Sequence, residues 1–480
     1  MQVERKPMTR EMYLEKMDEI KTIREQVQKD DKRLGYHLQP PVGWLNDPNG
    51  LCQIGDSYHI YFQYAPFNPY GGTGLWGHMT TRDFIHYEEQ EPIIYPDCNW
   101  DRSGAYSGCA YEENGTYYFY YTGNVKYTDR EYDYITAGRE QNVILISTKD
   151  GFRFTPKRFL MGNQDFPQDM SLHVRDPQVF KKDGVAYMLL GARELRDKGC
   201  VLLFESRDLV HWKYKLRFTT ETPFGYMWEC PNYVEPQGQG YLICCPQGVE
   251  KKGLDYANVH QCGYFPLTYA FGEENYQLGA FRQLDRGFDF YAPQAFRDSR
   301  GRTILLGWMG LPDCEYDNKP TVEKGWQHAL TLPRELVPGE QGKLLQKPLE
   351  ELKAMRGEKR EGYFYRKFQW KVPLLFELQL FFKKTGDFSL RIRENAWLEY
   401  RKQVLSLDMS CCGRGRTTRG VKLARIEKIH IFSDSSSLEI FINQGEEVFT
   451  TRIYDSMENL QVELVSQESE GRGEWYELRP

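Results

Sequence analysis

Along most of the chain the apolar positions come in short runs, not in long helical stripes. Over residues 36–336 these runs are aromatic and β-branched and are cut by Gly, Pro, Asn and Asp, the pattern of strands and turns. Five of them follow a turn that contains glycine: GDSYHIYFQY, NGTYYFYYTG, DGVAYMLLGA, GQGYLICCPQ and RGRTILLGWM. The turn glycines are Gly55, Gly115, Gly184, Gly240 and Gly301, so the pattern recurs every 56 to 69 residues. Before four of the turns stands a Pro-Asn or Pro-Gln pair, in Asp47-Pro48-Asn49, Asp176-Pro177-Gln178, Cys230-Pro231-Asn232 and Ala292-Pro293-Gln294. The remaining repeat has Ser107-Gly108-Cys109-Ala110 there, and a second echo, TTRDFIHY, STKDGFRF and ESRDLVHW, runs through three repeats. Each repeat has room for about four short strands, which is one propeller blade, and five repeats predict a five-bladed β-propeller. Radial repetition points equivalent positions at one axis, so Asp47, Ser107, Asp176, Glu229 and Tyr291 are expected to converge.

The flanking segments read differently. In residues 9–32, Tyr13, Met17, Ile20, Ile23 and Val27 recur at spacings of three and four, which predicts one short N-terminal helix with a narrow apolar stripe. Residues 337–362 are charged and linker-like, with room for a short helix. From Tyr363 onward period-two alternation returns and predicts a C-terminal β-sandwich. The expected organisation is therefore all-β: a helical leader at 1–35, a propeller at 36–336, a linker at 337–362 and a sandwich at 363–480 that serves structure or assists binding.

Composition narrows the function. The 480 residues carry 62 Lys+Arg against 68 Asp+Glu, a net charge of -6, without the basic footprint of a nucleic-acid binder. Aromatics make up 15%, and their flat faces suit the apolar C–H edges of sugars. No apolar stretch of about 18 residues predicts a membrane span. The start of the chain lacks the apolar core of a secretory signal, and the 11 cysteines contain no C-x-x-C pair. Together these predict a cytoplasmic protein with reduced, mostly buried thiols. Nothing marks an oligomeric interface.

Three carboxylates stand out. Asp47 sits in HLQPPVGWLNDPNG, with Trp44, Asn46 and the downstream Gln63 supplying an apolar plate and amides for hydroxyls. Asp176 follows Arg175 directly, and Glu229 lies in an apolar run between Trp228 and Cys230, surroundings that favour a protonated acid. Like charges brought to one axis are costly unless a ligand or a mechanism uses them. Two carboxylates flanking a glycosidic bond are the apparatus of glycoside hydrolysis. A propeller that binds sugar without cleaving it is the competing reading, and it predicts that one of these carboxylates is missing.

In this order, WLNDPNG, YSGCA, RDP, EC and GFDFYAPQ, followed by GWQHALTLPREL and IFSDSSSLEIFINQGEEVFTTRIY, resemble glycoside hydrolase family 32, over roughly residues 36–454. The resemblance implies a retaining mechanism on β-D-fructofuranosides, with Asp47 as nucleophile, Glu229 as acid/base and Asp176 as transition-state stabiliser. It implies that Asn46, Gln63, Tyr106, Ser107, Arg175 and Tyr291 line the fructose subsite. Trp44, Trp76 and Trp308 would be apolar walls, with neither metal nor cofactor. The charged leader resembles that of the bacterial sucrose-6-phosphate hydrolases within the family. The implied substrate is sucrose or sucrose 6-phosphate, with short fructo-oligosaccharides or fructans of inulin or levan type as the alternative. Tyr106 and Cys109 stand where the family usually has Phe and Ser, Leu45 replaces a frequent Met, and Tyr70 stands in a loop that often carries Trp. Arg130, Arg139 and Arg193, in or near loops after the second and third stations, are candidates for a phosphate.

Overall fold

The computed structural model describes residues 7–480. The five glycine-turn runs become Ser57–Ala65, Thr116–Lys126, Val185–Glu194, Tyr241–Gln247 and Thr303–Trp308, each the second strand of an antiparallel sheet. Successive side chains on a strand point to opposite faces, and here each face meets a different neighbouring sheet. Tyr120 packs with Met188 and Leu190, while its neighbours Phe119 and Tyr121 pack with Tyr61 and Trp76. Leu189 joins Leu242 and Cys244, and Ile243 and Cys245 join Leu305. Ile304 and Leu306 meet Ile60 and Phe62, which brings the fifth sheet against the first and closes the ring. A blade's second strand is thus buried on both sides, which is why these runs are apolar throughout instead of alternating.

Two further repeat features have structural causes. Asp83, Asp150 and Asp208 each accept two backbone N–H groups two and three residues on, at 2.8–3.0 Å, and each is bonded by the Thr or Ser two residues before it. The second echo is therefore a repeated Asx turn. Trp326–Gln327 pairs in parallel with Gly43 and Trp44, so chain from beyond the fifth blade's second strand returns to the first blade's inner strand.

Two expectations are corrected. The leader forms two helices, Arg10–Glu19 and Lys21–Val27, because the backbone leaves helical geometry at Ile20 (φ -96°, ψ 11°). Tyr13 and Val27 are buried while Ile23 is exposed. The stretch 337–362 is not a linker. It holds the end of Arg334–Pro338 and all of Leu344–Pro348, the outer strands of the fifth blade, then a short 3-10 turn and the start of Arg356–Lys371. The dense charge around these strands hid their buried positions, Leu336 and Leu344.

The C-terminal part is sandwich-like. Gln461–Leu478 pairs with Phe388–Ile392 through its first half and with Phe376–Lys384 through its second, while Arg356–Lys371 runs along its other side. This bent pair belongs to both layers, which enclose Phe376, Leu378, Leu390, Ile440 and Leu464. Buried ions join the sandwich to the propeller. Glu439 accepts from Arg334 Nη2 (2.7 Å), Leu332 N (2.7 Å) and His37 Nε2 (3.0 Å). Arg416 makes a bidentate pair with Asp289 at 2.7 Å. Among the described residues no helix is long and apolar enough to cross a membrane.

Candidate active site

The inner strands of the blades are Gly43–Ile54, Ala105–Glu113, Met170–Lys182, Met227–Val234 and Tyr291–Arg297. Each slips register against its second strand close to its start: between Leu45 and Pro48, Ala105 and Gly108, Arg175 and Gln178, Glu229 and Asn232, and Tyr291 and Gln294. Proline cannot donate to the ladder and is accommodated at such a bulge, where Pro48, Pro177, Pro231 and Pro293 stand; Gly108 takes that place in the second blade. The residues preceding three of them are left-handed: Asp176 (φ 61°), Cys230 (φ 48°) and Ala292 (φ 44°). A side chain on such a bulge is re-aimed, here toward the axis. Strained backbone of this kind persists only where its surroundings over-determine it.

The amides after the prolines provide that constraint. Asn232 donates to Cys230 O (3.0 Å) and Pro293 O (3.1 Å) and accepts from Ala295 N (3.1 Å), tying the fourth blade to the fifth. Gln294 accepts from Leu51 N (2.9 Å) and donates to Gly108 O (2.7 Å), tying the fifth to the first and second. Gln178 accepts from Tyr233 N (3.2 Å), tying the third to the fourth.

Above these staples the five stations converge, but in two rings one residue apart. The prolines align Asp47 and Asp176 with Cys230, not with Glu229. Cys230 Sγ lies 3.9 Å from Asp47 Oδ2 and 3.7 Å from Asp176 Oδ2, and its N–H donates to Asp176 Oδ2 (3.0 Å). Asp47 also accepts from Ser107 Oγ (2.6 Å) and Asn46 Nδ2 (2.9 Å). Glu229 belongs with Arg175 and Tyr291. Its Oε1 accepts from Arg175 Nη2 and Nε (2.5 and 3.1 Å), and its Oε2 accepts from Tyr291 OH and Gln247 Nε2 (both 2.7 Å). The apolar setting expected for Glu229 is therefore corrected. Alternation sends Trp228 into the core, stacked on Phe265 at 5.0 Å, and turns Glu229 toward donors.

The carboxylates differ in environment. Burial raises Asp47 above the ordinary range, opposed by its bonds from Ser107 and Asn46. Burial also pushes Asp176 up, to about 7, with Arg175 opposing and the charges of Glu229 and Asp47 adding to the rise. Tyr291 OH has a second acceptor, Cys245 O at 3.5 Å. Its hydrogen can turn there, which frees the phenol oxygen to accept a hydrogen bond instead. One carboxylate is thus held by neutral donors with no cation against it. A second has a hydroxyl beside it that can donate or accept, and a third is fixed by backbone between them. Such a set can attack an anomeric carbon, protonate a leaving oxygen and hold hydroxyls.

The other expected residues are distributed as follows. Asn46 links Asp47 to Trp44, whose Nε1 donates to Asn46 Oδ1 (2.7 Å). Trp44 and Trp308 face each other at 5.9 Å and share His328, at 4.3 and 5.0 Å, as an edge-on partner. Gln63 is 6% exposed and lies against Gly74, where an added Cβ would stand 2.7 Å from its Oε1. Tyr106 OH accepts from Arg139 Nη2 (3.4 Å). Trp76 is not a wall. It is 0% exposed, packed between the first two blades, and its Nε1 holds Tyr106 O (3.0 Å) from behind. Of the phosphate candidates, Arg139 lies in the site, Arg193 stands over the Tyr226 ring at 4.8 Å, and Arg130 stands over Tyr132 at 4.8 Å on an exposed loop. Sequence reasoning missed Gln247, His173 and His328. The signal for Gln247 was a polar residue ending an otherwise apolar second strand. Asp97, Cys98 and Asp101 cluster as metal ligands do, but Lys157 Nζ already donates to both aspartates at 2.5 Å.

Comparison with known proteins agrees with this geometry. The glycosyl hydrolases family 32 N-terminal domain matches residues 37–348, and the family 32 C-terminal domain matches residues 357–478. The chain is 37% identical to a sucrose-6-phosphate hydrolase of Bacillus subtilis (strain 168), over 88% of this chain and 89% of the relative. A sucrose-6-phosphate hydrolase of Staphylococcus xylosus is 35% identical, over 91% and 90%. Among solved structures, sucrose-6-phosphate hydrolase from Lactobacillus gasseri superposes with a TM-score of 0.88 at 29% identity and 96% coverage of both chains. A Bombyx mori GH32 beta-fructofuranosidase, as a mutant in complex with sucrose, gives a TM-score of 0.82 at 26% identity, covering 98% of this chain and 99% of that one. The bulged, stapled inner strands and the carboxylates they carry are therefore those of a member of glycosyl hydrolase family 32.

Proposed function

We propose that the protein hydrolyses terminal β-D-fructofuranosides with retention, and that sucrose 6-phosphate or sucrose is its substrate. The observation that carries the reading is the convergence of Asp47, Asp176 and Glu229 in three distinct hydrogen-bonded settings. Glu229 protonates the glycosidic oxygen while Asp47 attacks C2 of fructose, and Asp176 accepts ring hydroxyls as positive charge grows. Glu229 then takes a proton from water, which releases fructose with its original anomeric configuration. Trp44 and Trp308 offer faces to the sugar, and Arg175 keeps Glu229 in register. The relatives' names support the choice of sucrose 6-phosphate. The unpaired, mostly buried cysteines suit a reducing compartment, so we place the enzyme in the cytosol, where imported small sugars are met.

The test is a panel of sucrose, sucrose 6-phosphate and 1-kestose, with the anomer of released fructose followed by NMR before mutarotation. The reading predicts β-fructose first, from the two sucrose substrates in preference to kestose. Release of the α-anomer, or hydrolysis of kestose alone, would overturn it.

A further inference from the structure

We propose that one wall of the funnel, beside Glu229, is a phosphate site for the leaving group, built by Arg139 and Arg193, with His173 holding Arg139 in place. This rests on the reading that the substrate is a phosphorylated fructoside. The strand register places the wall. Gly191 lies opposite Arg175 and Ala192 opposite Val174; the register shifts just beyond Ala192, and Arg193, next along the strand, is close enough for its charge to act on the His173 ring. From the next blade Gln141 accepts from Arg175 Nη1 (3.3 Å), and Arg139, two residues before it, shares its face. Arg139 and Arg175 both reach the His173 ring, at 3.2 and 2.8 Å.

The charges on this wall do not balance. Arg175 is paired with Glu229, and Arg193 with Asp197 at 2.6 Å. Arg139 is 8% exposed, and its hydrogen-bond partners are the neutral Asn124, His173 and Tyr106. Burial, then Arg175, Arg139 and Arg193, hold His173 down to about 2, so it is a neutral ring that accepts from the two arginines it touches and bonds the Tyr134 backbone, fixing those guanidinium groups in place. A buried guanidinium without an anion is costly, and a dianion bound there would offset that cost. The location fits the chemistry: the oxygen that Glu229 protonates belongs to the leaving group, so that group lies along this wall. Tyr226 braces Arg193 from below.

The experiment measures kcat/KM for sucrose 6-phosphate over that for sucrose, in wild type, Arg139→Gln, Arg193→Gln and Arg193→Lys. The ratio cancels any general loss of folded or active enzyme. It is expected to exceed ~10 in wild type and to fall at least ~10-fold in each Gln variant, the scale of one charge-assisted hydrogen bond, with partial recovery in Arg193→Lys. Inorganic phosphate should compete with sucrose 6-phosphate in wild type and lose that effect in the Gln variants. A wild-type ratio near one, a ratio unchanged in both Gln variants, or phosphate competition that survives them would overturn the proposal. If wild type cleaves neither sugar, the functional reading itself fails; if it cleaves both alike, only the phosphate site does.

Discussion

At the residue scale, the site depends on donors around two carboxylates. Gln247 touches Glu229 without lying in any recognisable motif. It acts as a positioning residue, and Gln247→Ala should lower kcat ~10- to 100-fold, the loss of one hydrogen bond to a charged group, while KM for sucrose stays within ~3-fold. Steady-state kinetics decide; a KM effect with kcat intact would make Gln247 a binding residue instead. Ser107 lowers the pKa of Asp47, which in its proposed role as nucleophile attacks only when ionised. In Ser107→Ala that stabilisation is gone and Asp47 titrates higher. The acid limb of kcat/KM should therefore move to higher pH, and a limb that stays in place would contradict the assignment. The carboxylates and Arg175 were legible because they sit within two residues of the repeated prolines, and Ser107 because it holds the equivalent station in the repeat that lacks one. Gln247 and His173 were not, since nothing local tells a polar strand end that faces the axis from one that faces solvent.

At the scale of elements, the recurring Pro-Asn and Pro-Gln pairs were visible as a period, but their purpose was not. The proline sits at the bulge and the amide behind it staples a neighbouring blade. Asn232→Ala leaves Cys230 O, Pro293 O and Ala295 N without their buried partner, which should cost about 2–3 kcal/mol. Urea unfolding followed by tryptophan fluorescence measures this; a loss below ~0.5 kcal/mol would show that the blades do not rely on it. The misread elements share one cause. Leu344–Pro348 lies in a charge-rich stretch although its Leu344 and Gln346 are buried, and Trp76 is an aromatic among sugar-site candidates, so each carried the signal of something else. Pairing partners distant in sequence decide such cases, and local pattern does not contain them. The same holds for the alignment of Glu229, which follows Arg175 and Tyr291 once the prolines set the frame.

At the scale of the whole molecule, the sandwich is bound to the propeller by buried ions that the motif GWQHALTLPREL contributes from one side and IFSDSSSLEIFINQGEEVFTTRIY from the other. His37 is central. Burial alone would lower it, but its bonds to Asp434 and Glu439 raise it to about 9. A raised folded value contributes stability below the unfolded value of about 6.5, and that stability is lost as pH rises toward 9. His59 and His328 are lowered by burial to about 4 and about 3, so their contribution is present above about 6.5 and is lost as pH falls. The melting temperature should peak near neutrality and decline on both sides. In His37→Gln the decline between about 6.5 and 9 should flatten. Calorimetry across that range checks it, and an unchanged alkaline slope would remove His37 from the account.

The central claim is that Asp47 forms a covalent bond to fructose while Glu229 handles the protons. A Glu229→Ala variant given β-fructofuranosyl fluoride, whose leaving group needs no acid, should form the fructosyl enzyme and lack the base to release it. Peptide mass spectrometry after acid quench should then find one fructosyl unit on the peptide containing Asp47. A fructosyl unit on any other residue, or none while Asp47→Ala still turns over sucrose 6-phosphate, would contradict the account.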